Sequence, residues 1–189
     1  MASSAKRVGM ITAFQRNLTE LLDSIEDCLA KRRILPCLML LYSGIDVIAS
    51  LEAGTASRSA FTKWVNRYVL KSTSLSCTAS DLYGARCGIL HTLSAESNMS
   101  RKGTARRMGY AWGNASTDEL ERATKELGRD ERAVHVRELI DAFRLGLTNY
   151  MQEVMQDESR KQKIFAGAGM WLTDMGQNAI KDFLKTCKP

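Results

Sequence analysis

Proline is almost missing from this chain of 189 residues, which holds only two, Pro36 and Pro189. Long helices can therefore run without an internal break. Histidine is equally sparse, with His91 and His135 only. Two imidazoles cannot supply a three-histidine zinc site, and no H-E-x-x-H is present. The five cysteines (Cys28, Cys37, Cys77, Cys87, Cys187) are odd in number and include no C-x-x-C pair. That argues against a disulfide framework and for reduced, partly buried thiols. Long apolar runs are lacking too. The longest, 34–47, is broken by Pro36, Ser43, Gly44 and Asp46. It falls short of the ~18–20 residues needed to span a bilayer. Lys6 and Arg7 near the start are followed by no apolar signal core. The expectation is a cytoplasmic protein with no membrane partner. No G-x-x-x-x-G-K-[ST], G-x-G-x-x-G or G-x-S-x-G occurs, so phosphate-loop and serine-hydrolase chemistry lack their sequence signatures. No cofactor is expected.

What the chain does have is apolar residues at helical spacing. A hydrophobic content of 44% can fill a real core, and the length suits one domain, 1–189. Met10, Ile11, Phe14, Leu18, Leu21, Leu22, Ile25 and Leu29 recur at steps of three and four, which predicts a first helix over 8–32. Pro36 suits the first turn of a second helix that runs to about Ala53, with Gly54 ending it. It is apolar almost all round, so it should be central. A third, over 58–71, turns Phe61, Trp64, Val65, Tyr68 and Val69 inward. A fourth, over about 80–91, starts from Ser80 as N-cap with Asp81 in its first turn. Residues 108–112 alternate as a strand, and 133–136 read as a second strand pairing with them. Between them, 116–127 reads as a short helix. A long helix over 138–157 and a helical extension over 158–189 follow, with Met170, Trp171 and Leu172 as docking residues. The fold class is mainly α: a helical bundle with core 8–157 and a small two-stranded β elaboration.

Net charge is +6, which suits a polyanionic partner. Arg101, Lys102, Arg106 and Arg107 fall close together shortly after His91. They are candidates to hold phosphates, or else a solvated loop. Tyr83, Tyr110 and Trp112 could stack on unpaired bases, although aromatics at such spacing more often fill a core.

The segment Leu82-Tyr83-Gly84-Ala85-Arg86-Cys87-Gly88-Ile89-Leu90-His91 places a permanent cation near the one side chain type that titrates close to neutrality. A second Arg/His pair, Arg129 with His135, has similar spacing. It follows Gly128 and a run of charged residues, and His135 sits between two valines, so it reads as structural. Residues five apart on a helix differ by roughly 140° around the axis. Arg86 and His91 should therefore not share a face of a straight helix. They could equally be a salt-bridged arginine and a histidine favoured by the helix dipole. Asp46, flanked by Ile45 and Val47 on the apolar second helix, is the expected partner of Arg86, with a solvent-facing carboxylate as the alternative.

The stretch Tyr83-x-x-Arg86-Cys87-x-Ile89-Leu90-His91, on a late helix after a buried second helix, resembles the Arg-x(4–6)-His motif of HEPN-domain ribonucleases. Active members often carry Asn, Asp or His after the arginine, where this chain has Cys87. The resemblance implies a metal-independent endoribonuclease working as a homodimer. Arg86 would stabilise transition-state charge and His91 would transfer protons, with Asp46, Tyr83 and Cys87 in support. The products would be a 2′,3′-cyclic phosphate and a 5′-OH. It also implies RNA as substrate, and an antitoxin or regulatory protein as a possible partner in toxin–antitoxin or phage-defence systems. The alternative is a catalytically inactive helical module for dimerisation, nucleic-acid binding or partner regulation.

Overall fold

The computed structural model describes residues 2–168 and 180–181. The side chains of Met10 and Ile11, and residues Gly169, Met170, Trp171, Leu172 and Gly176, lie outside what is described.

The bundle is built on α1 (Ala2–Ala30) and α2 (Ile34–Ala53), joined by a tight turn in which Arg32 has φ 55°. The second helix begins at Ile34 and carries Pro36 in its first turn, as the sequence suggests. Proline is tolerated anywhere in a first turn, because those N–H groups have no helical partner. Gly54 ends α2 in the left-handed conformation, φ 76°, which glycine adopts without steric cost. By length and hydropathy alone α2 could cross a membrane. Here that apolarity fills the centre of the bundle: Leu41, Tyr42, Ile45 and Ile48 are fully buried, and α2 packs on α1, α3 (Arg58–Trp64), α4 (Ala79–Thr92), α7 (Val136–Gln156) and α8 (Glu158–Ala168).

Ser57 caps α3 (Arg58–Trp64), accepting the Ala60 N–H at 3.1 Å. The helix then widens into a π-helix, Val65–Leu70. Its inward residues are those the spacing predicts: Phe61, Trp64, Val65, Tyr68 and Val69 are buried. Gly146 of α7 (Val136–Gln156) lets this segment approach, since a Cβ there would lie 2.6 Å from the Tyr68 carbonyl oxygen.

The strands are β1 (Arg107–Ala111) and β2 (Glu131–His135), paired in parallel with Arg107 opposite Glu131 and Ala111 opposite His135. The crossover helix α6 (Thr117–Glu126) makes parallel pairing possible, because a short turn could not return the chain to the same end. Ser116 caps α6. Glu121 on that helix accepts the Ala133 N–H at 2.9 Å, which satisfies one donor on the edge of β2. The last described long element, α8 (Glu158–Ala168), is held across the bundle by Arg160, which donates to Glu52, Glu153 and the Tyr68 hydroxyl. The fold is mainly α, with one small sheet among the described residues.

Candidate active site on helix α4

The helix that carries Arg86 is α4 (Ala79–Thr92). Its N-cap is Thr78, not Ser80. Thr78 accepts the Asp81 N–H at 3.1 Å, and Asp81 takes the Thr78 N–H at 2.9 Å. This reciprocal box satisfies two donors at once, which a cap at Ser80 could not do with Asp81 one residue away. Asp81 is buried and also accepts the backbone N–H of Arg106 at 2.7 Å. Burial works to raise its carboxyl. The hydrogen bonds from Arg106 and Thr78 outweigh that and hold it below the usual carboxylate range.

The far end of α4 folds back on itself. Leu93 is left-handed, φ 52°, and the Ser94 N–H reaches the Gly88 carbonyl at 3.2 Å. A Cβ on Gly88 would sit 2.4 Å from the Ser94 carbonyl oxygen. Glycine at 88 is therefore what allows the tight return, and the return fixes the last turn that carries His91.

Between these ends lies a chain of three polar groups. Asp46 on α2 accepts from Arg86 Nε at 2.7 Å and from the terminal Nη2 on the same oxygen, Oδ2. The remaining terminal nitrogen, Nη1, lies 3.0 Å from His91 Nε2. The backbone of α4 separates residues 86 and 91 by roughly 140°. The long arginine side chain closes that gap by wrapping past Cys87, whose Sγ is 4.0 Å from Nη1. The geometric objection drawn from helix periodicity considers only the Cβ directions. Tyr83 completes the surround, its ring 5.9 Å from the guanidinium carbon.

Burial weakens the hold of Arg86 on its charge, but the carboxylate of Asp46 reverses this and raises its pKa above the ordinary arginine value. The pair is about one-fifth exposed on each side. It therefore lies between a surface ion pair, worth ~0.2–1 kcal/mol, and a fully buried one. Its main effect is to aim the guanidinium. Arginine only donates, so in the contact with Nη1 the His91 Nε2 is the acceptor and the ring proton of the neutral imidazole sits on Nδ1. Burial, with the nearby thiol of Cys87, raises the pKa of the Tyr83 phenol, which stays protonated.

The four basic residues expected to border the site divide into two sets. Arg106 contacts Asp81 at 3.4 Å, and Arg107 lies between Glu96 at 4.0 Å and Glu131 at 3.6 Å. Both are partly buried: Arg106 ties the start of β1 to α4, and Arg107 joins β1 to β2 and to the loop after α4. Arg101 and Lys102 are exposed at the end of α5 (Asn98–Arg101). Tyr110 bonds the Tyr42 hydroxyl at 2.6 Å inside the fold, whereas Trp112 is half exposed. Ser50 follows Tyr42 and Asp46 at four-residue spacing along α2, and its hydroxyl donates to the Asp46 backbone carbonyl at 2.6 Å, one turn from the ion pair. Among the described residues no three His, Cys, Asp or Glu side chains gather as a metal site.

Comparison with family models, curated proteins and solved structures finds no match to this chain.

Proposed function

We propose that the chain is a metal-independent endoribonuclease with Arg86 and His91 as its catalytic residues. The observation that carries this reading is the 3.0 Å contact between Arg86 Nη1 and His91 Nε2, with the guanidinium anchored from behind by Asp46. It sets a fixed cation beside an imidazole nitrogen whose lone pair is available once a phosphate takes over Nη1. Arg86 then bears on the phosphoryl oxygens, where negative charge develops. His91 Nε2 accepts the proton of the ribose 2′-OH, and the 2′-oxygen forms its bond to phosphorus. The bond from phosphorus to the 5′-oxygen breaks, that oxygen takes a proton from water as it leaves as a 5′-OH, and the protonated His91 returns its proton to solvent. A 2′,3′-cyclic phosphate remains. DNA has no 2′-OH and is not cut.

The exposed Arg101 and Lys102 support binding to an RNA backbone. The HEPN resemblance adds a homodimer with one such pair per chain, cytoplasmic location and a toxin or defence role, with an antitoxin or regulator as partner. A second reading rests on the same geometry. Every nitrogen of the Arg86 guanidinium already has a protein partner, as in a lock between α2 and α4 within an inactive helical module.

Cleavage of a labelled single-stranded RNA in EDTA separates the two. The wild type should yield cyclic-phosphate ends, and Arg86→Ala and His91→Ala should each lower the rate by about 10²–10⁴-fold. Cleavage that survives both substitutions, or none by the pure wild type, rejects the nuclease reading in favour of the module.

A further inference from the structure

Beside the Arg86–His91 pair, α2 and α8 leave a cleft of about 550 Å³, lined by Asp46, Val47, Ser50, Leu51, Thr55 and Lys163 among others. That size suits a small organic ligand. Three features define what it can hold.

Asp46 belongs to both places. Its Oδ2 takes both Arg86 donors, and its Oδ1 receives no hydrogen bond from the described residues. One acceptor oxygen of an oriented carboxylate is thus left for a ligand. Arg86 balances the charge of that carboxylate, so it does not exclude an anion from the cleft. Lys163 supplies the opposite chemistry. Its ammonium donates to the Glu52 carbonyl oxygen at 2.8 Å and has no carboxylate within ion-pair distance among the described residues. Two N–H donors and a full positive charge remain. Between them, Val47 and Leu51 give an apolar wall, with Val47 41% exposed. An exposed β-branched side chain next to a charged centre is an ordinary surface feature alone. Flanked by a free acceptor and a free cation, it is the flat surface on which a ring can lie.

We propose that this cleft is the subsite for the nucleotide adjoining the scissile phosphate. The proposal rests on the ribonuclease reading and adds its substrate contacts. The base lies on Val47 and Leu51, its edge donates to Asp46 Oδ1, and Lys163 holds the neighbouring phosphate while Arg86 holds the one to be cut. The acceptor gives a preference among bases. Adenine, cytosine and guanine carry exocyclic amino donors. Uracil offers a single ring N–H between two carbonyl oxygens, which face a carboxylate poorly. Uridine should be the weakest occupant.

The test is calorimetric titration of the full chain, in EDTA, with cytidine and uridine 3′,5′-bisphosphates, which carry both phosphates and need no cleavage to report. Val47→Trp fills the cleft from an exposed position, and Lys163→Gln removes the cation. Saturable binding of the cytidine compound is expected, weaker for uridine, and at least tenfold weaker in either variant with unchanged thermal melts. No binding of either compound, or binding that both variants leave intact, overturns the subsite. Should the bisphosphate bind through the cleft while RNA stays uncut, the nucleotide site stands and the ribonuclease reading falls. Should RNA be cut in an Arg86-dependent way while Val47→Trp leaves KM unchanged, the subsite falls and the ribonuclease reading stands.

Discussion

Arg86 with His91, and Arg129 with His135, present the same pair of residue types at nearly the same spacing, but their polar atoms meet different partners. In α4 the histidine Nε2 accepts from the arginine side chain. In β2 the His135 ring is taken up by backbone. Its Nδ1 accepts the Arg137 N–H at 3.3 Å, capping α7, and its Nε2 stands 3.1 Å from the Gly113 carbonyl oxygen. A carbonyl only accepts, so His135 carries its proton on Nε2, the opposite tautomer to that of neutral His91. Arg129 lies in the exposed turn before β2, where its backbone N–H closes α6. The difference teaches what a spacing rule omits. A histidine whose two nitrogens serve the backbone is a structural part. One whose partner is a side-chain donor can exchange that partner for a ligand.

The largest expected effect comes from removing the carboxylate anchor of Arg86, which has no counterpart at Arg129 among the described residues. Asp46→Asn keeps the shape but takes away the charge that aims Arg86. RNA cleavage should fall by about 10–10²-fold, within the range for a misplaced transition-state donor. Unfolding free energy should drop by only about 1 kcal/mol, as suits a pair that is one-fifth exposed. Turnover equal to wild type in a stably folded Asp46→Asn would show that the anchoring has no part in the chemistry.

Next in size comes a contrast between two glycines. Gly88→Ala drives a Cβ to 2.4 Å from one backbone oxygen and 3.0 Å from the Glu96 oxygen. Backbone cannot step aside cheaply, so a loss of about 2–3 kcal/mol is expected, with a shift of the turn bearing His91. Gly128, before the second pair, has φ 72° and nothing within 4 Å of its Cβ position. Gly128→Ala should cost only the conformational strain, about 1 kcal/mol. Urea unfolding of the two variants side by side gives the answer; equal losses would mean that the fold-back after α4 is not tight.

The helices were legible in the sequence because each signal was local. The apolar stripes of α1, α3 and α7 follow from spacing alone, whereas the choice of Ser116 over Thr117 as the cap of α6 does not. The strands were legible as a pair, but their parallel direction depends on the α6 crossover, which alternation does not encode. In the site, the Asp46–Arg86 pairing could be reached by asking what a carboxylate on an apolar helix needs. The meeting of Arg86 with His91 could not, because it depends on the rotamer of a long side chain rather than on helix phase. The division of the basic cluster was hidden for a similar reason. Whether Arg106 faces solvent or Asp81 is decided 25 residues away.

That distant choice gives the third prediction. Asp81 joins the cap of α4 to Arg106, whereas the cap of α7 is the His135 ring itself. Asp81→Asn weakens hydrogen bonds to a charged acceptor and should cost about 2 kcal/mol at neutral pH. The sign in acid follows from its depressed pKa. A carboxyl held below the ordinary carboxylate value contributes stability that is present above that ordinary value and lost as pH falls through the folded-state value. Wild type should therefore lose stability below about pH 4 more steeply than Asp81→Asn. Parallel pH–stability curves would show that Asp81 is not the group responsible.

The smallest expected effect tests the second histidine. His135→Ala removes a side-chain cap from α7 and should lower stability by about 1 kcal/mol, while RNA cleavage by the folded protein stays at the wild-type rate. His135→Asn keeps an acceptor at the cap position and should recover most of that loss, because asparagine is among the best N-caps. Thermal melts of the two variants report the capping, and cleavage assays well below the melting temperature report the chemistry. A fall in cleavage by His135→Ala that His135→Asn does not rescue would reverse the assignment. The functional pair would then be the one whose ring nitrogens the backbone holds, and the contact between Arg86 and His91 would be the structural one.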